Sequence, residues 1–237
     1  MRVRKYFFII ILLLSTHTAN SQVLIALIFG DALNTGKIEF GLDGGLTLAI
    51  IDGIEGVKPL TTWNLGFYFD IKLDNPAWMV HTGVIVKSTL GTTNAPLYSL
   101  NDAILDSAFA GGSVTKTLKH FYVPVMMKYQ FANKIFVEGG VMAGLFYGAT
   151  DTFVNSVQEK EDLSYEIDKK RSYHLLDGGL MIGAGYRLKS VNLGIRYYHG
   201  LVDVNADVLL PSLYNRALYV NIGIPIGAGD AEEDPEQ

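Results

Sequence analysis

The chain of 237 residues has no cysteine. That excludes a disulfide framework, thiolate metal sites and a thiol nucleophile, and it leaves the redox character of the compartment open. Charge is also scarce. Asp, Glu, Lys and Arg make up 18% of the residues, with a formal net charge of −5, against roughly 25% charged residues in an average soluble domain. No basic face remains to compete for phosphates, so nucleic acid is not an expected partner. Long hydrophobic runs are missing too. The run Tyr6 to Leu14 falls well short of the ~20 residues a helix needs to cross a bilayer.

That run has another reading. It follows Arg2, Arg4 and Lys5 and precedes the small-x-small sequence Ala19-Asn20-Ser21, the layout of an export signal cleaved before Gln22. Residues 1–21 are therefore expected to be a signal peptide. Residues 22–36 follow, apolar from Val23 to Phe29 without a period of two, and are expected as a short periplasmic segment at the mouth of what comes next. With no run of spanning length beyond them, any membrane insertion has to use strands.

Hydrophobicity is abundant, at 49% of residues and a mean hydropathy of +0.23, and its period is two. From His174 to Gly200, Leu176, Leu180, Ile182, Ala184 and Tyr186 alternate with Asp177, Gly179, Gly183, Gly185 and Arg187. After Lys189-Ser190, Val191, Leu193, Ile195 and Tyr197 alternate with Asn192, Gly194, Arg196 and Tyr198. This is a β-hairpin pattern. Its strands are long, its polar face carries glycine and ionisable groups, and its apolar face ends in aromatics, as in transmembrane barrel strands of ~9 to 11 residues. The same alternation runs through Lys37 to Ala49, Thr61 to Leu73, Trp78 to Thr89, His120 to Phe131, Ile135 to Thr150 and Ala217 to Ile226. With the hairpin these make eight strands, and the fold expected is an all-β, eight-stranded antiparallel up-and-down transmembrane barrel over residues 37–226.

The connections alternate strictly. Asp74 to Ala77, Ala132 to Lys134 and Lys189-Ser190 are short, whereas Ile50 to Leu60, Leu90 to Lys119, Asp151 to Tyr173 and Leu201 to Asn215 are long. Outer-membrane barrels are built this way, with tight periplasmic turns, longer extracellular loops and both termini in the periplasm. Closure has a physical cause: hydrocarbon offers no hydrogen-bond partner, so an open edge strands backbone groups at several kcal/mol each. Outward aromatics are expected in two belts, with Trp78, Tyr129, Phe131 and Tyr186 at the periplasmic end and Trp63, Phe121, Tyr147 and Tyr197 at the extracellular end.

Nearly all strand charge lies on the inward parity. Pairing Phe131 with Ile135 sets Lys128 opposite Glu138, and pairing Leu73 with Trp78 sets Asp70 opposite His81. The lumen network expected comprises Lys128, Glu138, Asp70, His81, Asp177, Arg187 and Arg196, neutralising charge where water is scarce. Lys87 is expected inward as well. With Lys37, Glu39 and Asp43 added, the same residue types would suit an ion or proton pathway, but a charge-paired plug is the simpler structure for eight strands, which enclose an interior that side chains nearly fill.

Four stretches, FYVPVMMKYQF (121–131), DGGLMIGAGYRL (177–188), LGIRYYHGLVDVN (193–205) and NRALYVNIGIPI (215–226), resemble the strand motifs of the PorT-like outer-membrane β-barrel family, as does the opening from Gln22. The resemblance implies an eight-stranded barrel in the outer membrane of Gram-negative bacteria. Its name-giving member belongs to a type IX secretion and gliding apparatus, which makes an accessory role there one alternative and a narrow solute channel another. The chain departs from many barrels at its end: no terminal aromatic follows, and residues 227–237, GAGDAEEDPEQ, are expected as an acidic tail.

The loops are where such a barrel carries specific function. Pro96 to Ala110 has helical periodicity, and 151–173 is densely charged and expected to be a solvated loop. Ser88, His120, His174 and His199 are the residues from which rim catalysis would have to be built. No G-x-S-x-G motif is present and no histidine pair has metal-ligand spacing, so neither enzymatic activity nor a cofactor is expected. The expected surroundings are outer-membrane lipid and lipopolysaccharide, with envelope proteins at the loops.

Overall fold

The computed structural model describes residues 36–157, 161–207 and 209–226. The expected signal peptide, residues 22–35 of the segment after it, and the acidic tail lie outside the described residues.

The strands are β1 (Ile38–Asp52), β2 (Lys58–Lys72), β3 (Trp78–Ala95), β4 (Ser113–Gln130), β5 (Ile135–Val157), β6 (Glu161–Asp168), β7 (Leu176–Arg187), β8 (Asn192–Gly200) and β9 (Tyr214–Pro225). Eight of them close into a ring, β1-β2-β3-β4-β5-β7-β8-β9, through antiparallel pairings that include β4 with β5 and β9 with β1. The first and last ring strands seal the barrel from Gly41↔Pro225 to Asp52↔Tyr214. No helix among the described residues is long and apolar enough to cross a membrane; the apolar surface is the outer face of the ring, where Val123, Val141, Ile182, Ile195 and Ile222 are exposed. Trp78 packs on Tyr129 at 4.8 Å near the short-turn end, and Phe121 stacks on Tyr147 at 4.7 Å toward the loops.

Three strands run furthest past the lengths read from the sequence. β3 continues to Ala95, β4 begins at Ser113, and β5 continues to Val157 and pairs with β6 from Thr150↔Asp168 to Val157↔Glu161. The stretch 151–173 is thus not a solvated loop throughout, since a ninth strand outside the ring occupies part of it. Alternation does persist here, but the outward positions are Thr115, Thr117, Thr150 and Thr152, so a search for lipid-facing strands stops one level too low. Helix α1 (Ala103–Ala108) is capped by Asp102, whose side chain accepts from the amides of Ile104 and Leu105. It realises only the second half of the helical periodicity over 96–110. Leu105 and Ala108 pack against a buried cluster of Ala95, Phe109, Val114 and Phe153, so the helix folds onto the inner side of this sheet extension.

Two register shifts correct the assignment of faces. Between Ile85 and Ser88 the β2–β3–β4 register slips, and Lys87 turns outward with its ammonium 3.3 Å from the Trp63 ring centroid, a cation–π contact rather than a lumen charge. A second slip at Lys119/His120 buries Ala149 on the inner side in place of Gly148.

Candidate functional site: the barrel lumen

Inward glycines suggest empty space when read alone, but their strand partners fill it. Gly41 faces Tyr68, Gly144 faces Tyr122 and Gly185 faces Phe136 across the ladder. A Cβ on these glycines would lie 2.4, 2.3 and 2.2 Å from the respective rings. Each ring lies over the bare backbone of its neighbour, a fit that only glycine permits.

Near the short-turn end Glu39 on β1 is ion-paired with Arg187 on β7. The Tyr68 hydroxyl donates to Glu39 Oε1 at 3.1 Å, and the Asn192 amide donates to the same hydroxyl oxygen at 3.1 Å. Next to this lies the densest cluster. Asp70 and His81 are register partners, with His81 Nδ1 2.6 Å from Asp70 Oδ1. Lys128 and Glu138 are also register partners, yet they do not pair: the Lys128 ammonium lies 2.7 Å from Asp70 Oδ2 and 4.2 Å over the Phe136 ring. Glu138 is bound by Arg196, which also holds Asp43. Arg196 Nη2 lies 3.3 Å from His81 Nε2. His81 thus stands between a carboxylate at Nδ1 and a guanidinium at Nε2.

A cavity of about 10 Å³ adjoins that cluster, bordered by Asp43, Tyr68, His81, Lys128, Phe136 and Arg196. This is the room of a single water at most. Asn64 bridges Thr47 and Asn221 beside it, at 3.0 and 3.2 Å.

Asp177 does not join these charges. Its carboxylate accepts from the Tyr122 hydroxyl, the Tyr198 hydroxyl at 3.0 Å and the Asn215 amide at 2.8 Å, and both tyrosines belong to a buried cluster that also holds Met126, Met142, Met181 and Tyr219. His120 Nε2 is 4.0 Å away. Neutral donors thus satisfy a buried carboxylate, each such bond to a charged group contributing about 1.5–3 kcal/mol. The sequence reading passed over Tyr68, Tyr122, Tyr198, Asn192 and Asn215; the available signal was hydroxyl and amide side chains on the polar parity of otherwise regular strands.

The residues considered for catalysis do not form an accessible site. Ser88 and His120 are register partners with Asp177 nearby, but all three are buried. His120 is sandwiched between Tyr122 and Phe146, at 5.0 and 5.5 Å, and Ile51, Leu118, Phe146, Tyr173 and Val204 close the barrel above. His174 is exposed, and His199 is half-buried near Tyr197.

Beyond the ring the extension has its own polar centre. Asp151 is ion-paired with Lys116 at 2.6 Å and accepts from the Tyr98 hydroxyl at 2.9 Å, while Lys169 lies 4.6 Å over the Tyr98 ring. Burial first, and the Asp151 charge second, push the Tyr98 phenol well above its ordinary value.

Residues 26–205 match the family model described as "Outer membrane protein beta-barrel domain". No curated protein sequence matches the chain. Among solved structures it is similar to Ail, the attachment invasion locus protein of Yersinia pestis, over 80% of this chain and 99% of that one, with 13% identity and a TM-score of 0.40. The same protein in complex with the heparin analogue sucrose octasulfate gives 12% identity and a TM-score of 0.41 over the same shares. Neisserial surface protein A gives 10% identity and a TM-score of 0.39, over 79% of this chain and 96% of that one.

Proposed function

Because this chain belongs to the outer membrane protein beta-barrel domain family, we propose that it is a non-conducting, non-enzymatic anchor that holds its long connections at the cell exterior as an interaction surface. The filled lumen carries the reading. Ionic, tyrosine and aromatic layers succeed one another along the barrel, and the cavity adjoining the densest layer is only about 10 Å³. A solute pathway needs a continuous opening, and a rim enzyme needs its nucleophile exposed; Ser88 and His120 are sealed on both sides.

In this reading residues 1–21 direct export, residues 22–36 and the tail 227–237 lie in the periplasm, and the charge cluster is a structural plug. The PorT-like kinship of the four strand motifs belongs to the same proposal, as do lipopolysaccharide and envelope proteins as neighbours. Planar-bilayer recording of the refolded chain should show no conductance steps, and a cysteine-reactive, membrane-impermeant label should reach Leu97→Cys on intact cells but not Asn75→Cys. Steps above the leak would sink the plug, and the opposite labelling pattern would invert the orientation.

A further inference from the structure

Every ring strand is paired on both edges, whereas β6 is paired on one, and its far edge carries no strand among the described residues. Backbone geometry shows which groups face that edge. Lys169 donates its amide to the Ala149 carbonyl at 3.1 Å, continuing the Thr150↔Asp168 register. In an antiparallel ladder hydrogen-bonded and non-bonded pairs alternate. Odd-numbered residues of β6 therefore turn N–H and C=O toward β5, and Ser164 and Glu166 turn theirs to the free edge.

The two faces of β6 differ. Ser164, Glu166 and Asp168 lie on the same side as Val154, Thr152 and Thr150. Leu163, Tyr165 and Ile167 lie on the other, where Tyr165 approaches Phe109 at 6.3 Å and Ile167 packs on the Phe153 cluster. Leu163 and Tyr165 remain 39% and 41% exposed, so the inner face continues past the helix that partly covers it. The strand sequence, EDLSYEID, carries carboxylates and no cation. Lys169, next along the chain, is engaged over Tyr98, and Lys119 and Lys170 border the hollow beside Glu166 and Asp168 without an ion pair to either among the described residues.

We propose that the free edge of β6 accepts an extended segment of a partner protein in which lysine or arginine alternates with apolar residues, adding a strand to the sheet extension. Main-chain bonds to Ser164 and Glu166 supply the affinity, the Glu166 and Asp168 carboxylates select the basic side chains, and Leu163 and Tyr165 receive the apolar ones. A second copy of this chain is a poor occupant, because antiparallel self-pairing of β6 sets carboxylate against carboxylate. Acidic residues thus guard the edge against its own kind while leaving it open to cations. The inference rests on the exterior placement of the loops proposed above.

The probe is a fluorescent peptide of about nine residues, matched to a typical strand length, that alternates lysine and valine. Its binding is followed by anisotropy on the detergent-folded chain. Saturable binding is expected. Ser164→Pro, which removes an outward amide without touching the β5 ladder, should weaken it at least about tenfold, the loss of roughly one hydrogen bond, while the boiled and unboiled gel bands stay distinct; Ser164→Thr should bind normally. Methylating alternate peptide nitrogens should abolish binding to the unaltered protein. The idea is overturned by absent saturable binding, by equal binding of a glutamate–valine peptide, or by indifference to both Ser164→Pro and N-methylation. Binding in detergent but not on intact cells expressing the protein would support the edge and overturn the exterior orientation.

Discussion

Lys128 and Glu138 face each other across the β4–β5 ladder, but Lys128 makes its ion pair with Asp70, two strands away on β2. The reason is competition. Arg196 reaches Glu138 and Asp43 together, leaving Asp70, already fixed by His81, as the carboxylate for Lys128. Asp70 therefore serves two partners and has no substitute. Asp70→Asn should cost about 3–5 kcal/mol, because it leaves Lys128 buried without a counter-charge. Glu138→Gln leaves Arg196 on Asp43 and should cost about 1–3 kcal/mol. Urea unfolding in detergent or lipid orders the two variants, and equal losses would contradict the division of partners.

The ring itself, and the opposition of Asp70 to His81, follow from period and turn length, because a one-residue slip would turn every apolar side chain of a strand into the lumen. The choice made by Lys128 does not, since it depends on side chains from β2, β5 and β8 meeting in one layer, a three-dimensional fact that a pairwise register cannot hold. Lys87 fails for a local reason: a bulge between Ile85 and Ser88 breaks the parity on which its inward placement depended. Asp177 looks like a member of the charge set in sequence, but tyrosines at the spacing of Tyr122 and Tyr198 read there only as aromatics, not as donors.

Outward threonines mark where the lipid-facing band ends. Ile195 is 55% exposed on the outer face of the ring, and Thr152 points the same way on the extension, opposite Glu166. Ile195→Arg should cost about 2–4 kcal/mol when the protein is folded into lipid, as for a midplane cation. Thr152→Arg should stay within about 0.5 kcal/mol, the range of an ordinary surface change. Comparable costs in a liposome unfolding titration would place the extension inside the membrane.

The glycine–ring pairs can be tested by size alone. A Cβ on Gly144 meets the Tyr122 ring at 2.3 Å, whereas one on Gly148 has only the Lys119 side chain, at 3.9 Å. Gly144→Ala should therefore cost about 1–3 kcal/mol through overpacking, and Gly148→Ala should be close to neutral. In the double variant Gly144→Ala/Tyr122→Ala much of the clash is gone, so its loss should be smaller than the sum of the single losses. Strict additivity in unfolding experiments would mean that the ring is not what occupies the space.

The segment leading into α1 responds to pH through an exposed carboxylate inside the helix. Asp106 accepts from the Leu100 amide at 2.7 Å and from the Ser99 hydroxyl at 2.6 Å, bonds that hold its pKa below the ordinary carboxylate value, the Leu100 amide contributing most. A carboxylate with a depressed folded-state pKa stabilises the fold above its unfolded value, about 3.9, and the contribution fades as pH falls toward the lower folded value. Limited proteolysis with an acid-active protease should therefore cut between Pro96 and Gly112 faster as pH drops below about 4, while the barrel stays intact. Asp106→Asn should be cut faster at neutral pH, and its rate should no longer change across the acid range. A variant that keeps the wild-type pH profile would assign the acid sensitivity to another group, with the neighbouring N-cap carboxylate of Asp102 next to be substituted.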